Sequence, residues 1–372
     1  MTAQDPHGVA LLTNIPTPYR NPVFERLPRD RFTVLFCAST ESNRHWRMGD
    51  LPFVHEFLNS SVRPLADGFN HVHDVPGIWG RLERLRPRLL ITTGFNPVHL
   101  RAFLWSQWRG VPHVAMTDGT RRSESGLSWK HRAVRRIVFA RSRAFIAAAL
   151  DGLALYRSYG IPDEKLFRSH LCADNMKFLE AARPLRDRDI DVLFVGQLHE
   201  RKMPMFFAEA CSALCKRRGA LRVGVVGSGP LSSDLQAALR SAGVQFDFPG
   251  FVQPDEMPGW FGRARLLFFP TRLDPWGVVA NEAMAAGTPV LTTPAAGVAG
   301  DLVADGRNGL ILAADVELWA SAADSLLRDP QTWQRLSCAA QRDVEPFSFD
   351  AAAAGIVNAC EYASAGVTLA AP

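Results

Sequence analysis

The stretch from Pro270 to Val290, PTRLDPWGVVANEAMAAGTPV, constrains the fold of this chain more than any other. The apolar run Leu266–Phe269 leads into it and predicts a strand, and the loop that follows holds Asp274 and Gly277. A helix is predicted directly after this glycine and contains Glu282, and a second glycine and a proline end it. A glycine at a helix start leaves backbone N–H groups uncovered, and the helix dipole favours negative charge there. The segment therefore predicts a cradle for a diphosphate, with two carboxylates close by.

Two glycine-containing segments lie upstream, each after an apolar run. In Val195–Lys202, VGQLHERK, the glycine allows a ligand to approach the backbone, and Arg201 and Lys202 supply cations for phosphate. The second segment is Val226–Pro230, VGSGP. It is not a dinucleotide fingerprint, because Ser232 stands where the third glycine would fall.

Both halves of the chain alternate short apolar runs with helical stretches, which is typical of parallel strands joined by crossover helices. Ligands of open α/β sheets bind at the carboxyl ends of the strands, so we expect a ligand site in a cleft between two such domains. The predicted strands are Val9–Thr13, Phe32–Cys37, Leu89–Thr93, His113–Thr117, Phe145–Ala149, Asp191–Gly196, Leu221–Val226, Leu266–Pro270 and Thr288–Thr292.

A polar stretch with a central proline separates the two halves. We predict an N-terminal domain over 1–172, a linker over 173–189 and a second domain over 190–345. The last segment, 346–372, is expected to form a helix that crosses back to the first domain. Asp187, Asp189 and Asp191 repeat the Asp-x-Asp spacing of metal sites, but they precede a strand, and we interpret them as solvated linker charge.

The order of motifs carries a resemblance to a known family. VGQLHERK, VGSGP, GFV at Gly250–Val252, DPWGVVANEAMAAGTPV and DGRNG at Asp305–Gly309 together resemble the family-4 glycosyltransferases, the group 1 type. The resemblance implies the GT-B fold, an α/β architecture of two Rossmann-like parallel-sheet domains that face each other across a cleft. The N-terminal half is similar to the family in strand order alone.

The resemblance also implies an activity. Family members transfer a sugar from a nucleoside-diphosphate sugar with retention of the anomeric configuration and without a metal. We therefore expect a UDP- or GDP-sugar donor, no other cofactor, and a glycan or lipid-linked acceptor from bacterial surface polysaccharide or glycoconjugate synthesis.

By the same resemblance, Asp274 would lie beside the donor sugar, and Glu282 would accept hydrogen bonds from the ribose. Lys202 and Arg201 would neutralise the diphosphate. This chain has Asp274 where Glu is usual and Gln197 where Arg is usual, which bears on sugar choice and on one phosphate contact. The other donor-binding residues implied are Gly196, Gln197, Gly227, Ser228, Gly229, Pro230, Phe251, Val252, Pro275, Trp276, Gly277, Val278 and Val279.

Candidates in the first half rest on strand order alone. The loop after the first predicted strand, IPTPYRNP, holds Thr17, Tyr19 and Arg20, and we expect the last two to be exposed for an acceptor. Asn96 follows another strand and is a further acceptor candidate. Asp118 follows the next one and is expected to contact the transferred sugar. Each of these residues has the alternative role of stabilising its loop.

The net charge of +5 hides an asymmetry. Residues 1–172 carry 24 Lys and Arg against 14 Asp and Glu, whereas residues 173–372 carry 18 against 23. The segment Ser128–Ala148 combines apolar residues at near-helical spacing with many cations. It is either a solvated helix packed on its own sheet or a helix that contacts an anionic membrane surface. The aromatic–basic modules of nucleic-acid binders are not apparent.

We expect a cytoplasmic location, extended to the inner face of the membrane if the basic helix binds there. No apolar run approaches the roughly 18 residues that span a bilayer. MTAQDPHG lacks the pattern of a secretory signal, and six scattered cysteines fit reduced thiols. Cys211 and Cys215, four residues apart, lack the matching pair that a zinc site needs.

Two other functions remain open from the sequence. A nucleotide-sugar 2-epimerase shares the fold but would need its own acid–base residues. A catalytically silent protein would bind the sugar nucleotide without turning it over.

Overall fold

The computed structural model describes residues 8–65 and 71–365. The described chain forms two compact units: unit 1 comprises the residues up to Leu171 together with those from Phe349, and unit 2 is Cys172–Ser348. Residues 1–7, on which the expectation about a secretory signal depends, and residues 366–372 of the predicted C-terminal segment lie outside the described residues.

The strands confirm the predicted parallel α/β architecture. All nine predicted strands are present, with ends shifted by no more than two residues. In the described residues the strands are β1 Val9–Thr13, β2 Phe32–Phe36, β3 His55–Phe57, β4 Ser61–Pro64, β5 His71–Asp74, β6 Leu89–Thr92, β7 His113–Thr117, β8 Ala144–Ala147, β9 Leu166–Arg168, β10 Ile190–Val195, β11 Arg222–Val226, β12 Gln245–Gly250, β13 Ala264–Phe269, β14 Val290–Thr292 and β15 Gly309–Ile311.

The helices occupy the segments between the strands, as crossover connections require. Within the same residues they are α1 Asn21–Glu25, α2 Ile78–Leu85, α3 Pro97–Arg109, α4 Arg121–Ser125, α5 Trp129–Arg141, α6 Leu150–Ser158, α7 Asn175–Glu180, α8 Pro204–Arg218, α9 Ser232–Ser241, α10 Met257–Arg263, α11 Val278–Ala285, α12 Val316–Arg328, α13 Pro330–Val344 and α14 Phe349–Ser364.

Unit 1 is built on a seven-stranded parallel sheet in the order β3-β2-β1-β6-β7-β8-β9, with β4 and β5 as a separate antiparallel pair. Strand β2, FTVLF, is buried along its whole length, which explains its continuous apolar run. The C-terminal helix α14 packs on β8 and β9 of this unit, with the rings of Phe167 and Tyr362 5.7 Å apart.

Unit 2 is built on a six-stranded parallel sheet in the order β12-β11-β10-β13-β14-β15. The strand order reverses between β10 and β13, and the loops at the carboxyl ends of these two strands are where such sheets bind ligands. On one face of the sheet, Phe268 of β13 packs between Phe207 and Trp319, with ring separations of 6.1 and 5.1 Å. Strands β10 and β13, which lead into the motifs, both contribute side chains to this core.

The segment 173–189, predicted as a linker, belongs to unit 2 and is packed. It contains α7, whose Phe178 packs against Phe261 at a ring separation of 5.6 Å. Arg188, between Asp187 and Asp189, is only 2% exposed, so the expected linker is not solvated at this residue. Its guanidinium donates to four backbone oxygens and to Thr288, and burial lowers its pKa to about 10. One charged residue of the segment therefore supplies donors to the core, whereas most of the others are exposed.

The carboxylates of the two Asp-x-Asp patterns are bound to arginines. Asp189 pairs with Arg263 at 2.7 Å, and Asp191 pairs with Arg265 at 2.9 Å. Across residues 8–65 and 71–365, no group of three or more His, Cys, Asp or Glu side chains is arranged as a metal site would require. Cys211 and Cys215 are buried in the unit 2 core as free thiols. No helix in the described part of the chain is both long and apolar enough to cross a membrane.

Candidate functional site

The turns after β10 and β11 bring glycine backbones into direct contact. Gly196 donates its N–H to Val226 at 3.0 Å, and Gly227 donates to Gly250 at 2.8 Å. Gly227 has a φ of 138°, and a Cβ there would lie 1.9 Å from the Gly196 oxygen, so no other residue fits. The carboxyl ends of three neighbouring strands therefore expose closely spaced backbone along one edge of unit 2.

The rest of the VGSGP loop packs on VGQLHERK. Leu198 donates its N–H to the Ser228 oxygen at 2.9 Å and accepts from Leu231 at 3.0 Å. A Cβ on Gly229 would approach the Leu198 oxygen to 2.4 Å. The predicted donor-binding residues Gly196, Gln197, Gly227, Ser228, Gly229 and Pro230 are thus brought together, and Phe251 and Val252 follow β12 at the same edge.

Lys202 and Asp274 form an ion pair between the loops that follow β10 and β13. Their side chains are 13% and 11% exposed, and the Lys202 ammonium lies 4.9 Å from the centre of the Phe269 ring. Burial raises the pKa of Asp274, but Lys202 and then Arg201 lower it, and the pKa ends below its ordinary value. The carboxylate is therefore ionised at neutral pH, and it accepts a hydrogen bond from the Trp276 N–H at 3.2 Å.

Arg201 joins the same two loops through hydrogen bonds. Its backbone oxygen accepts hydrogen bonds from the Arg272 N–H at 2.9 Å and from the Thr271 hydroxyl at 3.0 Å. Its guanidinium donates to the Leu273 oxygen at 3.1 Å. The predicted site residues Asp274, Lys202 and Arg201 therefore form a trio in one small region, at the point where the strand order reverses.

Helix α11 begins beside this trio without a side-chain cap. Gly277 precedes it with a φ of 107°, and a Cβ there would lie 2.3 Å from the Phe269 ring. The indole of Trp276 is fully buried and donates to Asn281 at 2.8 Å, so this residue, with Pro275 before it, presents backbone to the loop. The first turn, with Val278 and Val279, thus offers N–H groups and the positive end of the helix dipole to an anion.

Glu282 lies in the same helix and differs from Asp274 in its surroundings. Its carboxylate has no hydrogen-bond or ion-pair partner among residues 8–65 and 71–365. Burial raises its pKa to about 7. The side chain is half-buried, so ligand hydroxyl groups could reach the carboxylate and donate hydrogen bonds to it.

In unit 1, Arg20 is 7% exposed, which contradicts the expectation that it is free for an acceptor. Its guanidinium donates to Asp118 at 2.8 Å and to the oxygen and hydroxyl of Ser169 at 2.9 and 3.0 Å. Two predicted site residues therefore bind each other. Tyr19 is half-buried rather than exposed, and its ring meets the Trp46 ring edge-on at 5.8 Å.

The two remaining unit 1 candidates stabilise loops at the carboxyl edge of the sheet. Thr17 is buried and donates its N–H to the Asn21 side chain at 3.2 Å. Asn96 donates its amide to Asn14 at 3.3 Å, which joins the loops after β1 and β6 where this sheet reverses its strand order. Their part in acceptor binding stays a prediction.

A buried polar cluster in unit 1 was missed from the sequence. Glu41 accepts from His73 at 2.9 Å and lies 3.5 Å from His71, and Ser42 and Ser60 bond to the same two rings. Nothing in the local pattern links residues about thirty positions apart, so no sequence signal identified the cluster.

The second half of the chain is similar to a known family. Residues 189–329 match the model described as glycosyl transferases group 1. A D-inositol 3-phosphate glycosyltransferase of Frankia alni is 34% identical over 191 residues, which are 48% of this chain and 46% of that protein. One of Streptomyces avermitilis is 35% identical over 180 residues, which are 45% and 38% of the two chains. The chain spans about half the length, or less, of these relatives.

Solved structures resemble the chain over nearly its whole length. Anabaena Alr3699/HepE, in complex with UDP and glucose, has a TM-score of 0.72 at 16% identity and covers 95% of this chain and 99% of its own. A glycosyltransferase from Rickettsia africae has a TM-score of 0.73 at 13% identity, with coverage of 96% and 99%. The prediction of the GT-B fold and the prediction of similarity to group 1 glycosyltransferases are both confirmed. Residues 189–329 are therefore similar to a group 1 glycosyl transferase domain, in a chain that has the GT-B fold.

Proposed function

We propose that the protein transfers a sugar, with retention, from a nucleoside-diphosphate sugar to a hydroxyl group of a glycan or lipid-linked acceptor. One observation carries the proposal: the uncapped start of α11 lies beside the Lys202–Asp274 pair and one turn before the partnerless Glu282. All of these residues fall within the matched domain. An anion that carries hydroxyl groups on either side can interact with the helix start, with the ion pair and with Glu282 at once.

The donor is proposed to bind along the carboxyl edge of unit 2. Glu282 accepts hydrogen bonds from the ribose hydroxyls, because its half-buried carboxylate has no donor within the described residues. The glycine backbones at Gly196 and at Gly227–Pro230 allow the nucleotide to approach closely, and Phe251 and Val252 frame the base. The presence of UDP in the structurally similar Anabaena protein supports a nucleoside diphosphate as the ligand.

Bond cleavage leaves negative charge on the departing diphosphate. Lys202, Arg201 and the first turn of α11 stabilise that charge through their cations and the helix dipole. In the ligand-free protein Asp274 holds the Lys202 ammonium in place. On donor binding the phosphate shares Lys202, and Asp274 accepts a hydrogen bond from the donor sugar. This arrangement needs no metal, and the absence of a metal requirement is part of the proposal.

For retention, the acceptor hydroxyl attacks the anomeric carbon from the side of the leaving group. The glycosyl–phosphate bond breaks as the new glycosidic bond forms, and the acceptor proton passes to the departing phosphate. The roles of Asp118, Thr17, Tyr19, Arg20 and Asn96 toward sugar and acceptor belong to the same proposal.

Bacterial surface polysaccharide or glycoconjugate synthesis, at the inner face of the membrane, is the proposed setting. The excess of Lys and Arg over residues 1–172 supports an anionic or lipid-linked acceptor. D-inositol 3-phosphate, named for several relatives, is a small anionic acceptor that fits the same charge.

A donor labelled in its sugar tests the proposal. We expect label to appear in an acceptor-linked product, with the anomeric configuration of the donor. Conversion of the donor to a new sugar nucleotide without any acceptor indicates a 2-epimerase instead. Gln197, which stands where Arg is usual, favours the alternative of a catalytically silent binder. Such a protein would bind the diphosphate without transfer or hydrolysis.

A further inference from the structure

Helices α4, α5 and α6 of unit 1 leave a groove of about 600 Å³ between them. Part of its lining is apolar and includes Leu155 and Ile161. Arg121, Arg132 and Arg136 also line it. The groove thus combines hydrocarbon-binding surface with three cations, and it lies outside the candidate site of unit 2.

The three guanidinium groups are uncompensated. None has a hydrogen bond or an ion pair with any residue in the described ranges 8–65 and 71–365. The carboxylate of the groove, Glu124, accepts a hydrogen bond from Arg135 at 2.6 Å and is neutralised by it. The net charge of the groove is therefore positive, and an anion is its complementary ligand.

Helix α5 adds exposed apolar side chains beside the groove. Trp129 is 70% exposed and Ile137 is 51% exposed, with Lys130 and Arg136 next to them in the sequence. Large apolar side chains among cations on the outer side of a helix are typical of helices that lie in a membrane interface, and Trp is enriched at that depth.

A second basic groove continues the surface toward the end of α5. It measures about 470 Å³, shares Ala140 with the first, and is lined by Arg141, Arg143 and Lys165. These three cations also have no ion-pair partner within the described part of the chain. Unit 1 therefore presents two adjoining grooves lined by six cations, three of which lie on α5.

We propose that the groove between α4, α5 and α6 is a docking site for the phosphate headgroup of an anionic phospholipid. Arg121, Arg132 and Arg136 bind the phosphate, the apolar lining takes the start of an acyl chain, and Trp129 and Ile137 enter the acyl boundary. The inference rests on the proposed membrane setting and deepens it by naming the lipid class and the residues. A nucleic acid would use the cations but not the apolar lining.

Vesicle co-sedimentation at low salt tests the site in the whole protein. We expect binding to phosphatidylcholine vesicles that contain phosphatidylglycerol and little binding to phosphatidylcholine alone. The triple variant Arg121→Gln/Arg132→Gln/Arg136→Gln is expected to bind the anionic vesicles at least about tenfold more weakly. The three side chains are exposed and unpaired, so the thermal stability of this variant should match that of the wild type.

A control variant that loses the same number of charges distinguishes binding at the groove from general electrostatic attraction to the vesicle. Arg84→Gln/Arg86→Gln/Arg88→Gln removes three exposed cations from the end of α2 and the loop after it. This control is expected to keep vesicle affinity within about threefold of the wild type, because its charges lie away from the groove. Equal losses in the two triple variants would overturn the proposal, since net charge alone would then explain binding.

Calorimetric titration identifies the source of the phosphate. A short-chain phosphatidylglycerol, kept below its micelle concentration, is expected to bind saturably to the wild type and not to the groove variant. Inorganic phosphate and glycerol phosphate are expected to bind much more weakly. Equal affinity for inorganic phosphate, or tight binding of single-stranded DNA lost in the same variant, would contradict a lipid site.

The result of the lipid-binding experiments does not depend on whether the proposed transfer reaction occurs. Nucleoside-diphosphate binding should be unchanged in the groove variant, because its residues belong to unit 1 and lie outside the matched residues 189–329. If the wild type bound vesicles but no nucleoside diphosphate, the proposed function would fail and the lipid site would stand.

Discussion

Lys202 is the residue on which the proposed chemistry depends most. Its ammonium is held by Asp274, which lies in the loop that leads to the uncapped start of α11. The pair joins residues 72 positions apart, so the sequence identified each residue by its motif but not their contact. Adjacent residues in one motif can be predicted as a group, whereas a pair between two loops depends on the sheet topology.

We predict that Lys202→Ala lowers turnover at least about tenfold, equivalent to about 1.4 kcal/mol, because a cation is lost from the leaving diphosphate. Steady-state rates with an established donor and acceptor measure the effect. Lys216→Ala removes the same charge from an exposed position of α8 in the same unit and should leave the rate unchanged. Equal rates in the two variants would remove Lys202 from the site.

Glu282 gives a prediction that depends on pH. The folded protein retains its proton up to about pH 7, whereas the unfolded chain releases it near 4.5. The stability of the free protein therefore falls as pH rises through this window. Glu282→Gln removes the cost, and we predict that it stabilises the ligand-free protein above pH 7 by up to about 3 kcal/mol and has little effect below pH 4.5.

Chemical denaturation at several pH values measures this stability difference. The same variant should bind a nucleoside diphosphate more weakly, because a neutral amide is a poorer acceptor than a carboxylate for the ribose hydroxyls. Glu209→Gln changes an exposed carboxylate of the same unit and is expected to do neither. A variant that lost stability at high pH would show that Glu282 is stabilised in the free protein.

Among the elements, the turn after β11 places the strictest requirement on its amino acid sequence. Gly219 and Gly227 both have positive φ values, of 83° and 138°, but a Cβ on Gly219 meets no described atom within 4 Å. We predict that Gly219→Ala costs about 1–2 kcal/mol from backbone strain alone. Gly227→Ala should cost at least about 2 kcal/mol more and abolish nucleotide binding, because its Cβ collides with the Gly196 oxygen.

Denaturation curves and nucleotide titrations of the two glycine variants give both quantities. Similar stability losses in the two would mean that the loops after β10 and β11 are not in contact.

Segment 173–189 shows where composition misleads at the level of elements. Arg188 and Arg186 look alike in sequence, yet one is buried under five acceptors and the other has a side chain 86% exposed. We predict that Arg188→Ala destabilises unit 2 by at least about 3 kcal/mol, because buried carbonyl groups lose their donors. Arg186→Ala should fall within about 0.5 kcal/mol of the wild type, as surface changes usually do. Denaturation measures both, and equal effects would contradict the burial of Arg188.

The strands illustrate what the sequence predicts well. Strands such as β2 and β13 are almost fully buried, so their unbroken apolar runs identified them. Strands β3, β12 and β15 are short or lie at sheet edges with half-exposed side chains, and their patterns are too weak to predict. Helix α7 was missed because it is only six residues long and Phe178 is its single buried residue.

For the whole molecule, the alternation of strands and helices predicted two α/β domains, and the family resemblance carried by the motif order implied the GT-B fold. The donor side was predicted in detail because its residues lie in four continuous segments of one unit. The acceptor side was not, since Arg20 meets Asp118 and Ser169 from 98 and 149 positions away. Contacts of that range arise from the strand order of the sheet rather than from any local pattern.

Calorimetric titration with UDP and GDP tests the central claim most directly, because it measures anion binding at the start of α11 without any assumption about the acceptor. We predict saturable binding of one nucleoside diphosphate per chain, weakened at least about tenfold in Lys202→Ala and unchanged in Lys216→Ala. Absence of binding by either nucleotide, or equal affinity in the Lys202 variant and the wild type, would contradict the account.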